Sequence, residues 1–194
     1  EAVRDWTLSP TDVALYPYSS LGGQPIPLTH PIVTRHFWRF RSTLRNRTIF
    51  GKSPEERGHA WYEHLEHYRD RFEPALSIAF PFVASHNHFV LDRGGKLFNR
   101  TAPAIKLPAT ATDEDSFALL GLLNSSTACF WMRQVLQPKG GDSTGTKIQS
   151  EVWSRRLEFD ATKLGRMPVV QKHRGHIAEY ARLIDGEARR LEGL

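Results

Sequence analysis

Apolar and polar positions change rhythm several times along the chain, and each change marks an element. Residues 1–31 show no sustained period. Pro10, Pro17, Pro25, Pro27 and Pro31, with Gly22-Gly23, forbid a long helix and predict an extended arm, with Tyr16 and Tyr18 as anchors. From Val33 the spacing of Val33, Phe37, Phe40 and Leu44 is helical, and Arg35, Arg39, Arg41, Arg45 and Arg47 fill the positions between, which predicts one basic amphipathic helix. Ser53-Pro54-Glu55-Glu56 reads as a capped start of a second helix, with Trp61, Leu65, Tyr68 and Phe72 on one face and Pro74 at its end.

Leu76 to Ala84 suits a buried strand interrupted by Pro81. The stretch from His86 to Pro108 then places apolar residues on both sides of Asp92-Arg93-Gly94-Gly95, predicting a hairpin of Phe89–Leu91 with Lys96–Phe98 and a further strand through Ala104–Leu107. Thr112, followed by Asp113, Glu114 and Asp115, starts a helix; Gly121 and Asn124-Ser125-Ser126 predict a bend or a re-capped second helix with Ala128, Trp131 and Val135 inward. Pro138 to Gly145 reads as a polar loop, and Ile148 to Phe159 as one or two strands. Ile177, Tyr180, Ala181, Ile184, Ala188 and Leu191 form the stripe of a long closing helix. The expected architecture is α+β: an arm over residues 1–31, one compact domain over 32–170 with a β-hairpin or small sheet and several helices, and a C-terminal helix over 171–194.

Composition narrows the class. A chain of 194 residues with 40% hydrophobic and 24% charged residues can bury one substantial core, and disorder is excluded as its main state. A formal charge of +5 and a sequence pI near 9.6 lean toward polyanionic partners. The single cysteine, Cys129, excludes an internal disulfide and a four-thiolate zinc site, and fits a reducing cytoplasmic compartment. No apolar run approaches the roughly 20 residues of a membrane span, so no membrane partner is expected. The chain opens Glu1-Ala2-Val3 and reads as a piece of something longer.

The motifs are mostly weak. Gly140 to Lys147 has the glycines of a phosphate loop, but Thr146 separates Gly145 from Lys147 and Ile148 follows, so the glycine-lysine-hydroxyl order is broken. His86 and His88 share one face of a strand; they read as a metal pair with Asp92, as hydrogen-bonded structural groups, or as ligand contacts. Cys129 beside Phe130 and Trp131 reads as an inert core thiol, and no Gly-x-Ser-x-Gly elbow is present. The arginine helix is either a solvated face or a phosphate-binding one. No acidic residue lies between Arg35 and Arg47 to neutralise it.

Three blocks carry a resemblance: the long run from Trp61 through Pro108, FALLGLLNSSTACFWMRQV from Phe117, and VWSRRLEFDATKLGRMPVV from Val152. Together they resemble the C-terminal target-recognition region of PglX-type adenine-specific DNA methyltransferases of BREX phage-defence systems, and more distantly that of type IIG restriction-modification enzymes. The likeness runs from about Phe37 to Val170. It implies a parent enzyme whose separate catalytic domain binds S-adenosylmethionine and acts on a flipped adenine, while this region reads double-stranded DNA. The Asn-Pro-Pro-aromatic and Phe-x-Gly-x-Gly motifs of that catalytic domain are absent here. The resemblance therefore implies no catalysis and no cofactor in this chain.

On that reading Arg35, Arg39, Arg41, Arg45 and Arg47, with Lys139 and Lys147, contact phosphates and set register. Candidates for reading base edges are Asn87, Arg93, Lys96, Asn99, Arg100, Gln149, Arg155 and Arg156, which present the donor and acceptor pairs that guanine and adenine require. In the alternative, Asn87 and Arg93 fix a scaffold turn and the reading is done elsewhere. The implied partners are duplex DNA and the methyltransferase domain of the same parent chain. A competing reading is a protein-interaction module, docking another phage-defence subunit or a phage inhibitor through Trp6, Tyr16, Tyr18, Trp38 and Trp61. A third is a metal-dependent nuclease built on His86 and His88.

Overall fold

The computed structural model describes residues 3–4, 6–10, 12–20, 23–67, 76–94, 96–139 and 156–192. The chain divides into a larger unit, residues 1–12 with 74–194, and a smaller one, residues 13–73. In chain order the larger unit holds strands β1 (Val3–Arg4) and β2 (Thr7–Leu8), and the smaller unit helices α1 (Pro31–Arg39) and α2 (Arg41–Arg45). The larger unit resumes with β3 (Ser77–Ala79), β4 (Val83–Ala84), β5 (Val90–Asp92), β6 (Ala104–Ile105), α3 (Asp113–Leu123), α4 (Ser126–Val135), β7 (Gln137–Pro138), β8 (Leu157–Glu158), α5 (Ala161–Leu164) and α6 (Arg174–Glu192). The fold is α+β with a long C-terminal helix, as the sequence predicts.

Local chemistry sets the helix starts. The Thr112 hydroxyl accepts the Asp115 amide while the Asp115 carboxylate accepts the Thr112 amide, completing a capping box for α3. Ser125 re-starts the chain as α4 by accepting the Ala128 amide, and Asp160 caps α5 through the Lys163 amide. Arg174, at the head of α6, pairs with Asp115 and so ties the starts of two helices together.

Of the bend and the re-capped second helix offered for this region, the structure has the second, α4 capped by Ser125, with no break at Gly121. Gly121 lies inside α3, and a Cβ placed there would meet Ile177 Cγ2 at 2.8 Å and Ala181 Cβ at 3.1 Å. The missing side chain is what lets α6 approach. The same closeness corrects the expected stripe of α6: the buried positions are Ala178, Ala181 and Asp185, while Tyr180, Ile184 and Leu191 are 67%, 46% and 61% exposed. Ile177 and Ala181 occupy the space that Gly121 leaves, while Tyr180, Ile184 and Leu191 turn outward.

Strand β3 is the centre of an antiparallel sheet of order β5-β3-β6, with Ile78 opposite Leu91 on one side and Ile105 on the other. The expected hairpin is thus corrected: Val90–Asp92 pairs with Ser77–Ala79, and Lys96–Phe98 belongs to no strand. The Asp92 carboxylate accepts the Gly94 amide at 3.2 Å, turning the chain away from the sheet. A second sheet has order β4-β8-β7. The core between sheet and helices includes Ile78, Phe80, Phe89, Leu120, Met132 and Phe159, each 2% exposed or less. The β1–β2 pair joins this unit through Val3, buried with Ala79 and Val90, and through Glu192, whose carboxylate accepts the Leu8 amide and the Ser9 hydroxyl.

In the smaller unit the single arginine helix is corrected to two, broken at Phe40, which ends α1 and precedes α2. Like charges stand four residues apart on each piece, Arg35 with Arg39 and Arg41 with Arg45, and such spacing weakens a continuous helix. Ser53 and Glu56 do form the expected capping box, but it starts only a 3₁₀ turn, Glu55–Arg57. Gly58, at φ 77°, stops it in the left-handed conformation. Residues 59–67 are turns, with Glu63 buried and accepting the Ala60 amide; Tyr68 and Phe72 lie outside the described residues. Tyr18 anchors as expected: it is buried, stacked on His67 at 4.0 Å, and its hydroxyl accepts the His64 amide.

Gly121→Ala tests the helix contact. Alanine normally stabilises a helix interior, yet here overpacking against Ile177 and Ala181 should lower stability by about 1–3 kcal/mol in urea denaturation. A gain in stability would show that α6 does not depend on the close approach.

Candidate nucleic-acid interface

Five arginines of residues 35–47 meet different fates in the smaller unit. Arg47 is committed to the fold: Nε donates to the Leu44 carbonyl, and Nη2 to those of Trp61 and Glu63, at 2.9 to 3.0 Å. Burial pushes its pKa down, with the neighbouring Tyr18 acting the other way. Arg41 lies against indole rings, its guanidinium carbon 4.8 Å from the Trp38 centroid and 6.0 Å from that of Trp61, and its Nε is buried without an acceptor among the described residues. Arg45 pairs with Glu55 at 2.7 Å. Arg35 and Arg39, one turn apart on the exposed side of α1, make no ion pair among the described residues.

Arg41, Ser42, Arg45, Asn46, Ser53 and Glu55 line an open cleft of about 360 Å³. Asn46 and Ser53 also flank a tight reversal in which Ile49 and Lys52 exchange two backbone hydrogen bonds of 3.0 and 3.1 Å. Phe50 and Gly51 form its tip, and exposed Lys52 adds a cation. Exposed apolar groups accompany the charge: Ile32, Trp38 and Phe40 are 75%, 60% and 50% exposed. This mixture of free arginine, exposed aromatic and polar cleft suits a phosphate backbone or a stacked ring.

The larger unit distributes its candidates differently. Arg93 reaches α6 and forms a two-point pair with Asp185, Nη2 to Oδ2 at 2.5 Å and Nη1 to Oδ1 at 3.4 Å; Arg189 adds a third contact at 3.2 Å. Asp185 is 2% exposed, so Arg93 serves as its counter-charge. The Asn87 amide donates to the carbonyls of Leu123 and Ser125. Lys96 pairs with buried Asp92, and Asn99 accepts the amide and hydroxyl of Thr101 in a local turn. These four side chains are engaged within the larger unit.

Arg100, Lys139 and Arg156 are brought together. Arg100 and Lys139 each stand 5.8 Å from the Phe82 ring, and the Lys139 amide donates to the Arg156 carbonyl. Lys139 also pairs with Glu158 at 3.0 Å. The Arg100 and Arg156 side chains are exposed without an ion pair among the described residues. Lys147, Gln149 and Arg155 lie outside the described residues.

The other readings find less. The rings of His86 and His88 lie 4.0 Å apart, tilted by 52°, but the Asp92 carboxylate is taken by Gly94 and Lys96, and no group of three metal-ligating residues occurs among those described. Of the five aromatics assigned to protein docking, Tyr18 is buried, Trp6, Tyr16 and Trp61 are half-buried, and Trp38 is exposed. No described helix is long and apolar enough to cross a membrane. Sequence reasoning passed over Phe50 and Asp185. An aromatic before glycine between short apolar and basic flanks signals the first, and an aspartate inside an apolar helical stripe the second.

No family model matches the chain. Over 177 residues, 89% of its length, it is 41% identical to the adenine-specific methyltransferase PglX of Streptomyces coelicolor. It spans 15% of the length of that relative.

Arg93→Ala should cost about 1–3 kcal/mol of stability, less than for a fully buried pair because Arg189 remains beside Asp185. Asp185→Asn in the same background should recover part of that loss, read by urea denaturation. The cleft makes a second prediction, on pH. A hydrogen bond at its own backbone, then Arg45 and Arg41, hold the Glu55 carboxyl below its ordinary value, and the Ser53 amide and hydroxyl do so for Glu56. Because folding lowers both, their stabilisation is complete above the ordinary 4.5 and is lost as pH falls through the lower folded values. The thermal midpoint should therefore drop less steeply on acidification in Glu55→Gln and Glu56→Gln than in the parent.

Proposed function

We propose that the chain is the DNA-contacting recognition part of a PglX-like, adenine-specific DNA methyltransferase. Catalysis and S-adenosylmethionine binding then belong to another part of the parent chain. The observation that carries this reading is the row of uncompensated cations on the smaller unit: Arg35, Arg39 and Lys52 are exposed, unpaired among the described residues, and accompanied by exposed aromatics. The identity over most of the chain to an adenine-specific methyltransferase supports the same reading.

Within it the residues divide by availability. Arg35, Arg39 and Lys52 contact phosphates directly, and Arg45 does so when it leaves Glu55. Arg41, spread against Trp38, presents a flat cation whose stacking limits its rotation. Arg100, over the Phe82 ring, and exposed Arg156 are the described candidates left to read base edges, because Asn87, Arg93, Lys96 and Asn99 are engaged within the fold.

Binding of the full chain to randomised duplex DNA, with sequencing of the retained pool, tests this. A short motif should be enriched, and log affinity should fall linearly with log salt. Arg35→Ala and Arg39→Ala should each shallow that slope by about one unit. Arg156→Ala should cost about 1–3 kcal/mol and relax preference at one base pair. A flat salt response in the parent protein rejects the phosphate contacts, and an unchanged motif in Arg156→Ala rejects that residue as a reader.

A further inference from the structure

Phe50 is 99% exposed, so it makes almost no contact that folding could reward. It also occupies an unfavourable place. Its φ is 52° and that of Gly51 is 77°, the two left-handed residues of a two-residue hairpin turn. Glycine or asparagine fits such a position; a bulky aromatic resists it, because its Cβ crowds the backbone there. The chain thus spends a large apolar side chain, in a strained conformation, on a point where the fold needs none.

The mounting is rigid and narrow. Ile49 and Lys52 close the turn with two backbone hydrogen bonds, leaving Phe50 on a tip two residues wide. Cations flank it in sequence: from Arg35 to Lys52 the chain carries six and no acidic residue, with Arg47 engaged within the fold and Arg45 paired with Glu55. Asn46 and Ser53, on either side of the turn segment, line the cleft that Arg41 and Arg45 share. An apolar point on a cationic base complements a polyanion with apolar interior surfaces, which is the chemistry of a stacked nucleic-acid duplex.

We infer that Phe50 is a wedge that enters between adjacent base pairs of duplex DNA, unstacking one step while the arginines and Lys52 at its foot hold the flanking phosphates. The inference rests on the DNA-binding reading above and adds a deformation to it. The ring replaces part of the stacking it disrupts, and the opened step bends the duplex toward the cationic surface. Sequence preference at that step then arises from how easily it unstacks, with flexible pyrimidine–purine steps favoured, even where no side chain touches a base edge.

The test uses the full chain and duplexes from the selected pool, with 2-aminopurine placed in turn at each adenine position. Wild-type protein should raise the fluorescence at one step. Phe50→Ala should abolish that rise and weaken binding about tenfold or more, while leaving the salt slope unchanged because no charge is removed. Phe50→Leu should keep part of both effects. Phe50→Gly, which removes the ring and relieves the backbone, should show a thermal midpoint at or above wild type, so that its loss of binding is not a loss of fold.

Equal affinity of Phe50→Ala and wild type, or no fluorescence change at any position, overturns the wedge. So does a result in which the substitution weakens binding to anionic lipid vesicles and leaves DNA binding intact. If the arginine variants shallow the salt slope while Phe50→Ala binds normally, the DNA reading stands and the wedge alone is rejected. If wild type binds no duplex, both fall together.

Discussion

The side-chain amide of Asn124 holds the larger unit in register. It accepts the Phe89 amide at 3.0 Å and donates to the Phe89 carbonyl at 2.7 Å, standing where a neighbouring strand would otherwise be. Phe89 is fully buried, and a buried backbone without partners would cost more than its ring contributes. Asn87 returns the exchange, donating to the carbonyls of Leu123 and Ser125 at the junction of α3 and α4. Two asparagines thereby satisfy a helix end and an unpaired stretch of chain at once. The strand that follows, the core around Phe89 and the break between the helices all rely on this exchange.

The arginines show how a formal charge misleads about a surface. Arg93 neutralises a buried aspartate, Arg47 satisfies three carbonyls and Arg41 lies against indoles. Each is used as a rigid multi-donor fork or a flat stacking plate, and Arg93 and Arg47 are thereby removed from the pool that meets a ligand. Among the described residues, Arg35 and Arg39 on α1, Lys52, Arg100 beside Phe82 and Arg156 remain outward. The binding claim of the chain rests on those few residues, and the overall excess of positive charge adds little to it.

Much of the fold was legible where the cause is local. Thr112 with Asp115, Ser125 with Ala128 and Ser53 with Glu56 were readable because a cap and its target lie three residues apart. The hairpin after Leu91 was misread because its turn signal is local while its competitor, β3, lies over ten residues back and offers burial on both faces. Capping alone also overstated the segment after Ser53: Gly58 stops it, and aromatic contacts from Tyr18 and Phe37 decide the rest. The site was legible as a class of residues and not as a selection. Asp185 lies 92 positions from Arg93, and no spacing rule connects them.

Residues 13–73 interrupt the larger unit in sequence: β1 and β2 precede the interruption, and β2 is fastened to the far end of α6 through Glu192. For the larger unit the smaller one is a long excursion whose ends must be brought back together. The entropy of such closure rises only with the logarithm of length, about 0.6 kcal/mol per doubling. Inserts of quite different size and composition are therefore nearly interchangeable to the host. The asparagine exchange and the helix contact at Gly121 both lie wholly within the larger unit, so neither depends on the length of chain that interrupts it.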